Sequence, residues 1–259
     1  MDGFAAAHAG LHPAAAAVVG GIVGAVVGSF LALVLIRWPQ GRQVVSGRSA
    51  CDACDAPLAA RDLIPVVSFL VLHGRCRRCG QGIDRRHPLI EALAALIGLL
   101  AFSLQPGWVG AVSALLGWWL LLLAALDADH FWLPDRLTLP LIPAGLATAL
   151  AGIGPPLLER VVGAAIGFTC LAAIAFLYRH VRGRIGLGGG DPKLFAAIGA
   201  WVGWSMLPGV LLAATLLGLL MMALLTMVGQ RFDADSRLPL GTLLAIAAWV
   251  LWLVVINQI

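Results

Sequence analysis

The chain has 259 residues, of which 61% are hydrophobic and only 12% are charged. Soluble domains carry about 25% charged residues, so this composition excludes an ordinary soluble globular protein and indicates a membrane protein with several spans. The formal net charge of +4 decides little alone, because membrane orientation depends on where the basic residues lie.

Eight apolar segments are predicted to form transmembrane helices, each of which needs about 20 residues to cross the hydrocarbon layer. They lie at about 14–36, 88–104, 108–126, 137–153, 160–178, 193–206, 208–228 and 239–256. The first is predicted to stay in the protein as a helix, since no Lys or Arg precedes it as in a signal peptide. Its Gly20, Gly24 and Gly28 share one face, which favours close packing against a neighbouring helix. The predicted fold is an all-α polytopic membrane protein with about eight transmembrane helices.

The basic residues predict the orientation, because cytoplasmic loops are enriched in Lys and Arg. Nine arginines, from Arg37 to Arg86, lie between the first and second spans, including Arg48. If that loop is cytoplasmic, eight spans place the loops near Arg136, at 179–193 and at 231–237 on the same side, with the N-terminus outside. Of the 17 basic residues only Arg160 then falls outside. These charges are interpreted as topology determinants that also meet lipid headgroups, and no nucleic-acid binding is expected because no aromatic platform accompanies them.

Two C-x-x-C pairs lie in the first loop: Cys51 with Cys54, and Cys76 with Cys79. Four thiolates in this layout are typical of a closed tetrahedral zinc site that folds a loop and does not activate water. A cytoplasmic loop is kept reduced, which disfavours two disulfides. The fifth cysteine, Cys170, is expected to be a small buried side chain.

Two carboxylates lie at the edges of predicted spans on the same, cytoplasmic, side. Asp127 ends the third span, within segment 126–135, and Asp191 follows the glycine-rich segment 186–190. Acidic side chains near the hydrocarbon are costly, which makes them candidates for function. Two such groups held together share one proton, so they can activate a water and protonate a leaving amine. The glycines are expected to permit unusual backbone conformations and to leave room for an extended substrate, and Pro192 suits a helix capped by Asp191.

Other readings of these residues stay open at this point. Asp135 is expected to cap the fourth span, Asp129 to be solvated, and Asp191 to be either catalytic or simply a cap. A phosphate-binding loop is disfavoured because no strand precedes the glycines. From chemistry alone, a proton- or ion-coupled transporter using Asp127 and Asp191 is nearly as well supported as a protease. A zinc-loop scaffold that only recruits partners is a third possibility.

Motifs along nearly the whole chain resemble those of the prepilin peptidases, bifunctional membrane enzymes that process type IV pilins and type II secretion pseudopilins. In order they are Gly28-Ser29-Phe30 with Arg37, the two C-x-x-C pairs with Ile64-Pro65 between them, Gly74-Arg75-Cys76, Arg86-His87-Pro88-Leu89-Ile90-Glu91, Asp127 through Leu133-Pro134-Asp135, and Gly188-Gly189-Gly190-Asp191 followed by Lys193. Their common order and spacing make the resemblance specific. Pro192 and His87 depart from it, standing where family members often have a bulkier apolar residue and Tyr.

The resemblance implies a membrane aspartic peptidase of the bacterial inner membrane that cuts prepilin leaders on the cytoplasmic side, after Gly and usually before Phe. It also implies that the new N-terminal amine is methylated from S-adenosylmethionine. This activity is linked to the loop that carries the four cysteines, residues 37–87, called the cysteine loop below. The implied division is an N-terminal segment and first helix (1–36), a zinc loop (37–87) and a peptidase domain (88–259). No G-x-G-x-x-G signature places the methyl-donor site; Asp62 and Glu91 are polar candidates. Asp127 and Asp191 correspond to the catalytic pair, and the supporting positions are Gly188, Gly190, Lys193, Asp129, Pro134 and Asp135.

Overall fold

The structure is a computed structural model that describes residues 12–44, 49–184, 186–230 and 238–258. Arg48 and residues 231–237, which entered the orientation prediction, lie outside the described residues. In the described part the only pairing of β type is two isolated bridges, Ala50 with Pro57 and Arg75 with Gly82. The α-helices are α1 (Pro13–Arg37), α2 (Val67–Val71), α3 (Arg86–Leu104), α4 (Trp108–His130), α5 (Asp135–Leu150), α6 (Leu157–Arg182), α7 (Asp191–Val202), α8 (Leu207–Met227) and α9 (Leu240–Asn257).

Six of these helices in the described residues are long and apolar enough to cross a membrane, namely α1, α3, α4, α6, α8 and α9. Helices α5 and α7 form where two further spans are predicted, but they have only 16 and 12 residues. At 1.5 Å per residue they reach ~24 Å and ~18 Å, against a hydrocarbon core of ~30 Å. The all-α membrane architecture is therefore confirmed, whereas helix length does not confirm eight crossings.

The chain divides into two compact units, Met1–Trp118 and Trp119–Ile259. In the first unit, α1 and α3 approach each other through backbone atoms. A Cβ at Gly28 would lie 2.7 Å from the Cα of Glu91, and one at Gly24 would overlap the carbonyl of Ala94. Small residues are therefore required along this face, as the glycine spacing predicts.

In the second unit, α7 is enclosed by its neighbours, and every residue of it except Lys193 is buried. Gly199 meets Gly163 of α6 backbone to backbone, and a Cβ at Gly145 of α5 would lie 2.6 Å from the carbonyl oxygen of Ala200. The indole N–H of Trp201 donates to the carbonyl of Leu141 at 2.9 Å. A helix that is apolar on all sides is buried in this way, and the packing fixes the position of its first residue, Asp191.

Arg160 is fully buried in the second unit. Its guanidinium donates to the carbonyl oxygens of Gly145 (2.6 Å), Pro155 (2.8 Å) and Ile153, and lies 5.6 Å from the Trp252 ring. Gly145 lies in α5, and Ile153 and Pro155 lie in the turn that follows it, so this side chain connects the end of α5 to the turn before α6. The orientation prediction places Arg160, alone among the basic residues, outside the cytoplasm, and these contacts give it a structural role there.

Candidate functional site

The two predicted carboxylates occupy helix ends in the second unit. Asp127 lies in the last turn of α4, and Asp191 is the first residue of α7. Their exposed fractions are only 5% and 7%. Gly190, the residue before Asp191, and Gly241, which lies against the Asp127 carboxyl group, both pack against Leu133. The structure thus brings together two residues that are 64 positions apart in the chain.

Asp127 is held by the start of α9, a contact that sequence reasoning missed. Its Oδ2 accepts the backbone N–H of Thr242 at 2.8 Å. The Thr242 hydroxyl donates to the Ala124 carbonyl at 2.8 Å and lies 3.3 Å from the same Oδ2. A hydroxyl carries one proton, so the shorter contact takes it, and the longer one suits a carboxyl group that donates when protonated. Thr242 is 115 residues from Asp127 and uncharged, so no pattern in the sequence marked it.

Asp191 does not cap its helix, contrary to that interpretation of the sequence. Gly190 is the N-cap of α7, without a side-chain capping bond, and Oδ2 of Asp191 accepts the N–H of Gly188 at 3.0 Å. The expectation of unusual backbone conformations is also wrong, because none of Gly188, Gly189 and Gly190 has a positive φ. What two of these glycines provide is space: a Cβ at Gly188 would lie 3.1 Å from Oδ2 of Asp191, and one at Gly190 would lie 2.6 Å from the Leu133 Cβ.

Leu133 follows the end of α4 and contacts the other two segments of this site, the glycines before Asp191 and the start of α9. Its side chain packs against Gly190 and also against Gly241, where a Cβ would lie 2.8 Å from the Leu133 Cδ1 and 2.9 Å from Oδ2 of Asp127. Phe131 precedes this contact with a φ of 50°, and its N–H donates to the Asp127 carbonyl at 2.8 Å. A residue in this conformation commonly ends a helix, so α4 stops here and the chain turns towards α5. Side-chain volume at Gly190 or Gly241 would push these segments apart.

Two of the predicted supporting residues, Asp135 and Lys193, form an ion pair with each other. Pro134 is the N-cap of α5 without a side-chain cap, and Asp135, expected to be a cap, makes no capping bond. Both Asp135 oxygens instead accept from Lys193 Nζ, at 2.7 and 2.8 Å. This ion pair connects the start of α5 to the first turn of α7. Asp129 is exposed, as expected.

The four loop cysteines of the first unit come together as the spacing predicts. Their Sγ atoms all lie within 4.8 Å of one another, and those of Cys51 and Cys79 are 3.9 Å apart. A zinc ion with four Zn–S bonds of ~2.3 Å has thiolates ~3.8 Å apart, so the donor set fits zinc. All four are free thiols. Cys170 is also free but exposed, so its predicted burial is wrong; it lies on α6, a candidate membrane span.

The two cysteine pairs have the same local structure. After each second cysteine, a residue with positive φ closes a turn: Asp55 at 53° and Gly80 at 71°. The N–H of Asp55 donates to the Cys51 carbonyl and that of Gly80 to the Cys76 carbonyl, both at 2.9 Å. Backbone N–H groups of Cys79 and Arg78 lower the pKa of the Cys76 thiol to about 6, whereas burial and the neighbouring cysteines raise the pKa of Cys79 to about 11. A thiolate at neutral pH is the form that binds metal.

Carboxylates hold the cysteine loop on the neighbouring helices. Asp52 accepts from Arg37, at the end of α1, at 3.0 Å and from Arg42 at 2.8 Å. Glu91 of α3 is buried, and its Oε2 accepts the N–H of Val66 at 2.7 Å. These three contacts lie within the first unit. Among the described residues 49–84 only Ala56 is a buried apolar residue, so polar contacts rather than an apolar core hold this loop.

Comparison with known proteins gives a consistent result. Two family models match the chain: the bacterial peptidase A24 N-terminal domain over residues 22–104 and the type IV leader peptidase family over residues 114–223. A prepilin leader peptidase/N-methyltransferase of Aeromonas salmonicida (strain A449) is 41% identical over 208 residues, which are 79% of this chain and 71% of the relative. Relatives of the same name from Klebsiella pneumoniae (43% over 194 residues; 72% and 85%) and Pseudomonas aeruginosa (36% over 212 residues; 81% and 73%) also match. No solved structure matches the chain. None of these matches supports the ion-coupled transporter.

Proposed function

The chain belongs to the type IV leader peptidase family, and from this premise we propose that Asp127 and Asp191 are the carboxyl pair with which it cleaves prepilin leaders. It is a multi-pass inner-membrane enzyme with peptidase and N-methyltransferase activities. The substrates are type IV prepilins or type II secretion pseudopilins, cut after Gly, and the new N-terminal residue, usually Phe, is then methylated.

The observation that carries the assignment is the meeting of two buried carboxylates at helix ends. They come from distant segments, and Leu133 packs against glycines of both the Asp191 loop and the start of α9. Burying two acidic groups in the same part of the protein is unfavourable for stability, so their burial indicates a catalytic role.

The pair works as one acid and one base that share a proton. The unprotonated carboxylate takes a proton from a water, whose oxygen attacks the scissile carbonyl carbon. The protonated partner gives its proton to the amide nitrogen as the C–N bond breaks. The products are the leader carboxyl group and the pilin amine, and the pair again holds one proton.

The second activity belongs to the cysteine loop. We assign residues 37–87 to methylation and 88–259 to cleavage, with 1–36 contributing the first helix. The zinc ion that Cys51, Cys54, Cys76 and Cys79 would hold supplies folding energy and no open coordination position. The nine arginines of segment 37–86 favour a cytoplasmic location for this loop, with the N-terminus outside.

Mass spectrometry of a prepilin before and after incubation with the purified full chain tests this function. We expect Asp127→Asn and Asp191→Asn each to abolish cleavage, because neither variant can complete both proton transfers. Glu159→Gln, a similar change on α6 of the same unit, is the control and should cleave like the wild type. Cleavage at the wild-type rate by either aspartate variant would exclude this mechanism. Adding S-adenosylmethionine should increase the mass of the cleaved pilin by one methyl group.

A further inference from the structure

The first unit contains a cavity that the peptidase chemistry does not use. Its volume is about 810 Å³, and its lining comes from α1, α3 and the cysteine loop. Small-molecule and cofactor sites occupy ~300–1,000 Å³, so the cavity is large enough for a nucleoside-sized ligand. Neither Asp127 nor Asp191 lines it.

The cavity wall combines apolar and charged regions. Phe30 and Leu33 of α1 contribute apolar surface, whereas Arg37, Asp52 and Glu91 contribute charged groups. A ligand that fits both regions has an apolar or aromatic part and a part with charges of both signs.

Arg37 gives the strongest indication of what binds there. Among the residues that the structure describes, its Nε is the one buried side-chain nitrogen or oxygen atom without a hydrogen-bond partner. A buried N–H without an acceptor is unfavourable. The planar guanidinium group matches a carboxylate, which can accept two parallel N–H bonds.

The neighbouring ion pair leaves Arg37 able to bind an anion. Its Nη2 donates to Oδ1 of Asp52 at 3.0 Å, and Nη2 of Arg42 donates to the same oxygen at 2.8 Å. If Arg37 turns to a ligand, the exposed Asp52 carboxylate keeps Arg42 as its partner and is not left unpaired.

We propose that this cavity binds the methyl donor S-adenosylmethionine and that the Arg37 guanidinium binds its carboxylate. The assignment rests on the N-methyltransferase half of the proposed function. The donor has an aromatic adenine, a carboxylate and two cationic groups, which match an apolar wall, an arginine and the acidic side chains. A phospholipid is the competing occupant, because its acyl chains and charged headgroup also suit these two regions. The methyl donor is preferred because the relatives are named N-methyltransferases, and the test below compares both ligands.

The test is equilibrium binding of tritium-labelled S-adenosylmethionine to the full chain in detergent. We expect saturable binding that S-adenosylhomocysteine displaces. Arg37→Met should weaken it by roughly 10-fold to 100-fold, the loss expected for a charged hydrogen-bond partner. Arg37→Lys keeps the positive charge but loses the two parallel N–H groups of the guanidinium. Its affinity should therefore lie between those of the wild type and Arg37→Met. Arg179→Met, an exposed arginine of α6, should bind like the wild type. Zinc content measured on each variant checks that the cysteine loop has folded.

Three results would overturn the assignment or separate it from the proposed function. Donor binding to Arg37→Met at wild-type affinity would exclude the site. Arg37-dependent binding of dioctanoyl phosphatidylethanolamine or phosphatidylglycerol, with donor binding independent of Arg37, would assign the cavity to lipid and also exclude it. In both cases a wild-type chain that still cleaves prepilin and methylates a pre-cleaved peptide would leave the proposed function intact. A wild-type chain that does neither, although folded, would overturn that function itself, and with it the premise of this site.

Discussion

At the residue scale, Thr242 is the contact that positions the Asp127 carboxyl group. The backbone N–H of Thr242 and its hydroxyl both face Oδ2 of Asp127, and the hydroxyl also holds the Ala124 carbonyl of α4. One side chain therefore fixes both the carboxyl group and the helix that carries it. Because a misplaced carboxyl group slows proton transfer strongly, Thr242 is expected to affect turnover more than substrate binding.

The change Thr242→Val tests this role, since it removes the hydroxyl but keeps the side-chain volume and the backbone N–H. Losing a hydrogen bond of ~0.5–1.5 kcal/mol should lower kcat about 3-fold to 10-fold, with little change in KM, and should alter the pH dependence of cleavage. Thr242→Ser should restore most of the activity. Thr215→Val is the control, because Thr215 is exposed and bonds only within α8, to Leu211. Equal rates for the two valine variants would rule out a positioning role.

Two adjacent glycines of the Asp191 loop give a second test at this scale. A Cβ at Gly190 would meet the Leu133 Cβ at 2.6 Å, whereas one at Gly189 would meet no atom within 4 Å. Overpacking costs ~1–3 kcal/mol, so Gly190→Ala should reduce cleavage by about 10-fold or more by displacing Leu133. Gly189→Ala should leave the cleavage rate unchanged, and the purified variants can be compared with one prepilin substrate. If Gly190→Ala is as active as Gly189→Ala, Leu133 does not hold the site together.

At the element scale, the cysteine loop is built from two copies of one turn. Cys51 to Asp55 and Cys76 to Gly80 form the same hydrogen bond and end in the same positive-φ conformation. Each copy offers two thiolates from a rigid turn, and two copies complete a tetrahedral donor set. The described residues 49–84 bury few apolar side chains, so we expect the loop to depend on a bound metal for its stability.

Removing one thiolate should therefore unfold the loop without affecting the second unit. We expect Cys51→Ser and Cys79→Ser to lose zinc, measured by elemental analysis of anaerobically purified protein, and to lose methylation. Prepilin cleavage should persist, because Asp127 and Asp191 lie in the other unit. Cys170→Ser is the control and should keep both zinc and methylation. Wild-type protein purified without any bound zinc would contradict the structural role of the metal.

At the scale of the whole molecule, the sequence predicts which residues carry the chemistry better than it predicts the contacts that position them. The cysteine tetrad and the carboxylate pair follow from residue type and spacing, because metal and proton chemistry demand particular groups. Thr242, Leu133 and the role of Gly190 do not, since they act through packing between segments distant in the chain. The predicted cap at Asp135 is wrong for the same reason: its partner, Lys193, is 58 residues away.

The order of the helices along the chain bears on how many of them cross the membrane, a number that helix length alone does not decide. Asp127 ends α4 and Asp191 begins α7, with α5 and α6 between them. If their carboxyl groups share a proton, as proposed, α5 and α6 must together return the chain to the same membrane face. Because α6 is long enough to cross, we predict that the shorter α5 crosses as well. Thr242 at the start of α9 bonds Asp127, so by the same reasoning we predict that α7 crosses together with α8.

Alkaline phosphatase inserted into the full chain at chosen loops distinguishes eight crossings from six, because the enzyme is active only outside the cytoplasm. With the cysteine loop cytoplasmic, eight crossings predict activity after Gly154 and none after Gly183. Six crossings, with α5 and α7 not spanning, predict the reverse. Insertions after Gly107 (active) and after Gly229 (inactive) give the same result in both topologies and serve as controls. Activity after Gly183 would place Asp191 and Asp127 at opposite faces and would exclude a shared proton, because no side-chain motion spans ~30 Å of hydrocarbon.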